Sequence, residues 1–230
     1  MEEIKIIQIH SGFVTPILVV NGGNSFLVDT GRKAFGQKII QAIEINGLKP
    51  TDIKLIILTH THFDHAGNAA LLKEKTGAKV VVHKKEKDCL EKGYMTIPRG
   101  TKPSTKRLSW LGRNIFRFIG KYKSVKADIV VEDKLDLTPW GIDGYVLHTP
   151  GHTAGSQSVV LGDAILAGDA FFNAGFEGVF PPFADHPKQL LETWEKIIEL
   201  GINKVYPGHG SGFNIAKVKE SFNAMKKKFV

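Results

Sequence analysis

The sequence predicts a chain of alternating strands and helices folded as one large domain spanning 1–230, and three observations carry that reading. Short β-branched runs alternate with segments of helical period along the chain. Gly and Pro mark the joints between them. A length of 230 residues buries a sizeable core without requiring division.

Ile4 to Ile9, Pro16 to Val20 and Ser25 to Val28 read as short strands, separated by the Ser11-Gly12 and Asn21-Gly22-Gly23 turns into a meander. Ala34 to Ile45 places Ile39, Ile40 and Ile43 on one helical face, and Gly47 followed by Pro50 stops the helix. Lys54 to Leu58 is a buried strand. Ala69 to Lys75 reads as a helix ended by Gly77, and Lys79 to Val82 as a strand. Further strands fall at Tyr145 to Leu147, Ser156 to Leu161, Ala164 to Ala167 and Lys204 to Tyr206, with helices at Pro187 to Leu200 and Ile215 to Lys228.

Directly after the strand at Lys54 to Leu58 comes Thr59-His60-Thr61-His62-Phe63-Asp64-His65. Imidazole and carboxylate are the common ligands of zinc, iron and manganese, so this density of them points to a metal site. In extended backbone the alternation His60, Thr61, His62 throws both imidazoles to one side, where they can share an ion. Asp64 and His65 are neighbours and need a turn to point the same way, which favours a second ion beside the first. Three later residues repeat a syntax of strand, Gly, ligand: His152 in Thr149-Pro150-Gly151-His152, Asp169 in Ala167-Gly168-Asp169, and His209 in Pro207-Gly208-His209. Gly allows a sharp backbone turn where a side chain must be aimed inward.

Composition excludes several classes. Cys89 is the lone cysteine, which removes a disulfide framework and any Cys-rich zinc site and fits a reducing compartment. Met1-Glu2-Glu3 lacks the basic start of a signal peptide, and no apolar run is long enough for a membrane span. The expected location is cytoplasmic.

The set His60-x-His62-x-Asp64-His65, then His152, Asp169 and His209, with Asp29 in Leu27-Val28-Asp29-Thr30-Gly31, resembles the metallo-β-lactamase superfamily along nearly the whole chain. The resemblance implies an α+β fold, a four-layer αββα sandwich in which two mixed sheets pack face to face with helices outside and metals at one edge. It implies a ligand partition as well: His60, His62 and His152 on one ion, Asp64, His65 and His209 on the other, and Asp169 bridging. Asp29 would support the ligand loop from behind. Two divalent ions are thus implied, zinc foremost, with iron or manganese as alternatives. Ions roughly 3.5 to 4 Å apart hold a hydroxide between them at neutral pH. That hydroxide would attack a carbonyl or phosphoryl centre, with Asp64 as the catalytic residue that orients it and relays its proton.

Departures within the superfamily narrow the substrate. Asp169 stands where many β-lactamases of this fold carry Cys or Ser, and those enzymes are usually exported, which points away from antibiotics. Acyl-homoserine lactonases carry a Tyr three residues after the bridging Asp, and here that position is Phe172. The run Gly168-Asp169-Ala170-Phe171-Phe172 is more similar to glyoxalase II and its thioester-cleaving relatives. About twenty residues follow His209, too few for the helical extension that holds glutathione there. The sequence therefore favours hydrolysis of a thioester, ester or lactone of an acyl-bearing or anionic small molecule.

Ten Lys or Arg and no acid lie between Lys92 and Ala127, while the whole chain carries only +8 and the remainder is left at −2. Leu108, Leu111, Ile115, Phe118 and Tyr122 recur there at helical spacing, with Arg113, Arg117 and Lys121 as a basic stripe. The expectation is a basic amphipathic lid over the cleft at about 92–127, open to peripheral contact with an anionic membrane. The plainer alternative is a surface helix whose apolar stripe docks on the sandwich. Aromatic Phe171, Phe172, Phe176, Phe180 and Phe183 could wall a pocket or fill the core. His83 and His148 read as structural, His186 as part of the turn before Pro187, and His10 sits by a turn within reach of the cleft.

Two rival chemistries share these residues. A mononuclear iron dioxygenase acting on persulfides would use His60, His152 and Asp169. A phosphodiesterase or nuclease would use the basic segment to track phosphates, but confinement of the charge to one segment disfavours a nucleic-acid partner.

Overall fold

The computed structural model describes residues 4–175 and 178–229, and Phe176 of the aromatic stretch lies outside them. The amino-terminal half builds a six-stranded sheet from β1 (Lys5–Gln8), β2 (Ile17–Val20), β3 (Ser25–Val28), β4 (Ile53–Ile57), β5 (Lys79–His83) and β6 (Ile129–Val131), in that spatial order. β1 to β3 are antiparallel and β3 to β6 parallel. The carboxy-terminal half builds the second sheet from β7 (Lys134–Asp136), β8 (Tyr145–His148), β9 (Gln157–Leu161), β10 (Ala164–Asn173), β11 (Lys204–Gly210) and β12 (Phe213–Asn214). Only β10 and β11 run parallel within it.

Strand periodicity explains the layering. In β2 and β3, Ile17, Val19, Phe26 and Val28 point into an apolar layer shared with Val146, Val159 and Leu166 of the opposite sheet. Leu18 and Leu27 point the other way, against Ile39, Ile40 and Ile43 of α1 (Gly36–Ile45) and Leu72 of α2 (Ala69–Thr76). The second sheet repeats this with Val160, Ile165 and Val205 packed on Leu190, Trp194 and Ile197 of α5 (Pro187–Glu199) and Val218 of α6 (Ala216–Phe229). The inner strands of both sheets are buried on both faces, and the result is the four-layer αββα sandwich expected.

Gly77, at φ +71°, ends α2 as read from the sequence. The principal departure concerns the basic segment. α3 (Lys87–Lys92) and α4 (Pro103–Asn114) flank an irregular stretch, and α4 stops before a separate 3₁₀ turn at Arg117–Gly120. A single amphipathic helix through Tyr122 is therefore not formed, and the Arg113, Arg117, Lys121 stripe is broken between two elements. β10 and β11 run past their expected ends, so Asp169 and His209 lie within strands rather than beyond them. The extension tolerates Gly168 because the β10–β11 register shifts on either side of it.

Candidate metal centre

The loop after β4 is clamped by two buried carboxylates. Asp29, at φ +62°, ends β3 in a left-handed conformation that aims its side chain beneath the loop. Asp29 Oδ1 accepts from the Thr59 backbone N–H (2.8 Å), and Oδ2 accepts from Thr59 Oγ1 (2.8 Å) and His65 Nδ1 (2.8 Å). On the other side Glu86 Oε2 accepts from the Thr61 backbone N–H (3.0 Å) and from its hydroxyl. Asp29 was legible from its motif; Glu86 was not, because nothing in its local sequence sets it apart from a surface helix acid.

Each of the five histidines is anchored through one ring nitrogen. His152 Nδ1 donates to Phe183 O (2.9 Å), His209 Nδ1 to Phe13 O (2.7 Å) and His62 Nε2 to Thr96 O (3.2 Å). Thr59 Oγ1 gives its only proton to Asp29, so at 3.1 Å it accepts from His60 Nδ1. The other nitrogens converge. His62 Nδ1 and His152 Nε2 face each other at 3.1 Å, and His65 Nε2 and His209 Nε2 at 3.4 Å. With the outer nitrogens donating, neutral rings would set lone pair against lone pair at these distances. The ligand atoms of a tetrahedral zinc, bonded at about 2.0–2.1 Å, are separated by roughly 3.3–3.4 Å, close to what is seen.

Asp169 sits between the two pairs. Its Oδ2 is 3.5 Å from His152 Nε2 and 3.3 Å from His209 Nε2, and its Oδ1 is 3.3 Å from His65 Nε2. Asp64 Oδ2 lies 3.9 Å from His209 Nε2. Ligand atoms gather into three overlapping groups: His60, His62 and His152; Asp64, His65 and His209; and His60, His65 and Asp169. Buried His60 Nε2 and Asp169 Oδ1 have no hydrogen-bond partner, a costly state that a cation would relieve. The residues fit divalent metal.

Electrostatics divides the cluster into two poles. Burial, and then the neighbouring imidazoles, push His60 and His62 well below the usual imidazole range. Burial also opposes charge on His65, but Asp169 and then Asp29 outweigh it and hold that ring well above the range. His209 is raised against its burial by Asp169. The Asp169 carboxyl, though buried, is held well below the usual carboxylate range by His209, His65 and His152. Neutral imidazoles thus sit on one side and an anionic carboxylate in the middle, as metal binding requires, whereas on the other side His65 and His209 hold protons that an incoming cation must displace.

The family model of the metallo-β-lactamase superfamily matches residues 11–209. This chain belongs to the metallo-β-lactamase superfamily. Among its relatives, a probable metallo-hydrolase of Methanocaldococcus jannaschii is 26% identical over 86% of this chain and 89% of its own. A probable metallo-hydrolase of Bacillus subtilis is 30% identical over 76% and 75%, and a hydroxyacylglutathione hydrolase of Haemophilus influenzae is 28% identical over 86% and 85%. The BLEG-1 metallo-β-lactamase superposes with a TM-score of 0.72 over 96% of this chain and 99% of its own, at 22% identity. A metallo-β-lactamase of Cronobacter sakazakii gives 0.71 over 97% and 89%, at 18% identity. Those two likenesses are of fold, whereas the curated relatives make the protein a metal-dependent hydrolase.

Three glycines make room for this superfamily cluster. Gly168 (φ +51°) and Gly151 (φ +133°) hold conformations unfavourable to other residues, as the turn reading anticipates. Gly208 works differently, having no positive φ; a Cβ there would strike Asp169 Oδ1 and the His65 ring.

The cluster floors a cavity of about 410 Å³ whose walls are largely carbon, among them Phe13, Ile97, Leu111, Phe116, Phe172 and Phe183. The aromatic stretch divides its labour by strand alternation. Phe171 packs in the core on Trp194 (5.0 Å between centroids), whereas Phe172 stacks over His209 at 4.8 Å and faces the cavity. His83 and His148 stack on each other at 4.0 Å and belong to none of the ligand groups, and His10 is exposed and does not line the cavity.

Proposed function

We propose that the protein is a dinuclear hydrolase that cleaves a thioester, ester or lactone bearing an apolar acyl group. The observation that carries this is the pair of inward-facing ligand groups, His60/His62/His152 and Asp64/His65/His209, with Asp169 within reach of both at the base of an apolar cavity. Zinc suits this nitrogen-rich set, with iron or manganese as alternatives. The chemistry supplied once two divalent ions are bound is an activated hydroxide and a polarised acyl carbonyl.

The protein's own groups do the rest. Asp64 is the most solvent-exposed of the acids in the cluster, with 21% of its side chain accessible, so one oxygen can reach an incoming water. It takes the water proton and passes it to the departing thiolate or alkoxide as the acyl carbon gains oxygen and loses its leaving group. Phe172 offers no hydroxyl to the substrate and presents a ring face over His209, which suits an acyl chain better than a polar lactone. Asp29 and Glu86 fix the loop, so that His60 to His65 need not reorganise during turnover.

The test is a panel of thioesters, esters, lactones, phosphodiesters and persulfides assayed on one preparation loaded with zinc or manganese. Turnover of an acyl substrate is expected, reduced about 10²–10⁴-fold in Asp64→Asn with the thermal midpoint little changed. Cleavage of phosphodiesters alone, or oxygen consumption with persulfide, would replace this reading. Unchanged turnover in Asp64→Asn would remove that residue from the mechanism.

A further inference from the structure

A surface helix ordinarily buries its apolar stripe. α4 does the reverse. Its buried residues are Thr105, Ser109 and Gly112. These small residues let the helix lie against the preceding loop, where Ser109 Oγ donates to Pro98 O (2.7 Å) and Arg113 Nη1 to Ile97 O (2.8 Å). A Cβ on Gly112 would strike the Ile97 side chain. Tied down by its polar face, the helix leaves Leu108, Trp110 and Ile115 outside, and Phe116, Phe118 and Ile119 continue the exposed run.

The exposed hydrophobics are concentrated in one segment and not scattered over the chain. Six of the ten large exposed hydrophobics among the described residues lie within 108–119. Phe13, 77% exposed, belongs to the same edge, because it lines the cavity together with Leu108, Phe116 and Ile119. Leu108, Phe116 and Ile119 therefore form an apolar rim on this cavity, and Trp110, Ile115 and Phe118 stand exposed beside it on the same segment. Cations surround it. Arg99, Lys106, Arg107, Arg117 and Lys121 are exposed and make no ion pair among the described residues, while Arg113 reaches Asp185 at 3.7 Å. The 92–127 segment contains no acid that could answer them.

We propose that this edge docks on an anionic lipid bilayer, and that the cavity takes its acyl ester or thioester from that surface. Exposed Trp, Phe, Leu and Ile flanked by Lys and Arg match the chemistry of the headgroup boundary, where rings and alkyl groups enter the acyl region while cations meet lipid phosphates. A nucleic acid would answer the cations but leave aliphatic Leu108, Ile115 and Ile119 without a counterpart. The docking claim stands on the surface alone; the source of the substrate rests on the hydrolase reading.

Flotation of the full chain with vesicles of phosphatidylcholine, and of phosphatidylcholine mixed with phosphatidylglycerol, tests it. Partition should be about tenfold or more stronger on the mixed vesicles, weakening by about fivefold for each of Lys106 and Arg107 changed to Gln and falling with added salt. Phe118→Asp should abolish binding without moving the thermal midpoint, since that side chain is 65% exposed. Trp110 emission should shift to the blue on anionic vesicles, and Trp110→Phe should remove the shift, because Trp194 is fully buried and half-buried Trp140 packs against the inter-sheet core and does not line the cavity. Equal partition on both vesicles, wild-type binding by Phe118→Asp, or self-association that covers Trp110 and excludes vesicles would each overturn the proposal. Vesicle binding without acyl turnover would leave docking intact and remove the acyl-substrate reading; the opposite result would remove docking alone.

Discussion

The ligand loop and the α4 edge sit on the same cavity and are built on opposite terms. Around His60 to His65 every ring has an anchor, every anchor is backbone or a neighbouring side chain, and Gly208 has no space for even a methyl group. Along 108–119 the anchors belong to small residues beneath the helix, and the large side chains touch little. The contrast separates two demands: ligand atoms must be placed within a fraction of an ångström, whereas a surface that meets a mobile acyl chain need only offer area and charge.

Substitutions in the two regions should differ in scale. Asp169→Ala, which removes the carboxylate within reach of both ligand groups, should lower the metal content and take turnover below detection; a variant that retains metal and turnover would show that Asp169 does not join the two groups. Asp29→Asn should be milder. Asn tolerates the φ of +62° and keeps the bond from the Thr59 backbone, but it loses a charge and one acceptor to Thr59 and His65. Metal affinity or activity should fall by about 10–100-fold, read by competition with a chromophoric chelator. At the other extreme, Trp110→Ala should change thermal stability by no more than about 0.5 kcal/mol. A larger loss would mean that the edge is structurally committed and not the open surface described.

The same contrast explains what the sequence made legible. The candidate ligands stand out because His and Asp at that density have few other uses, and because strand, Gly, ligand is a mechanical pattern that the structure brings to one cluster. The αββα layering followed from that likeness, and strand alternation in β2 and β3 accounts for it. Short β6, β7 and β12 escaped because two or three residues cannot display a period. Gly168 reads as a stop and predicts an early end to β10, whereas a register shift carries the strand through it. α4 misled most: the spacing of Leu108, Leu111 and Ile115 is that of a docking face, yet Thr105, Ser109 and Gly112 took the inner side. Periodicity reports that a helix has an apolar face but not what that face meets. Glu86 was invisible for a related reason, since its role depends on a loop 25 residues away.

The central claim, that His60, His62, Asp64, His65, His152, Asp169 and His209 form one two-metal site, is tested most directly by elemental analysis of protein purified without added metal and again after zinc or manganese loading. Two divalent ions per chain are expected after loading, with acyl hydrolysis appearing as the second ion binds. A single iron that persists through loading, with activity that consumes oxygen, would contradict it.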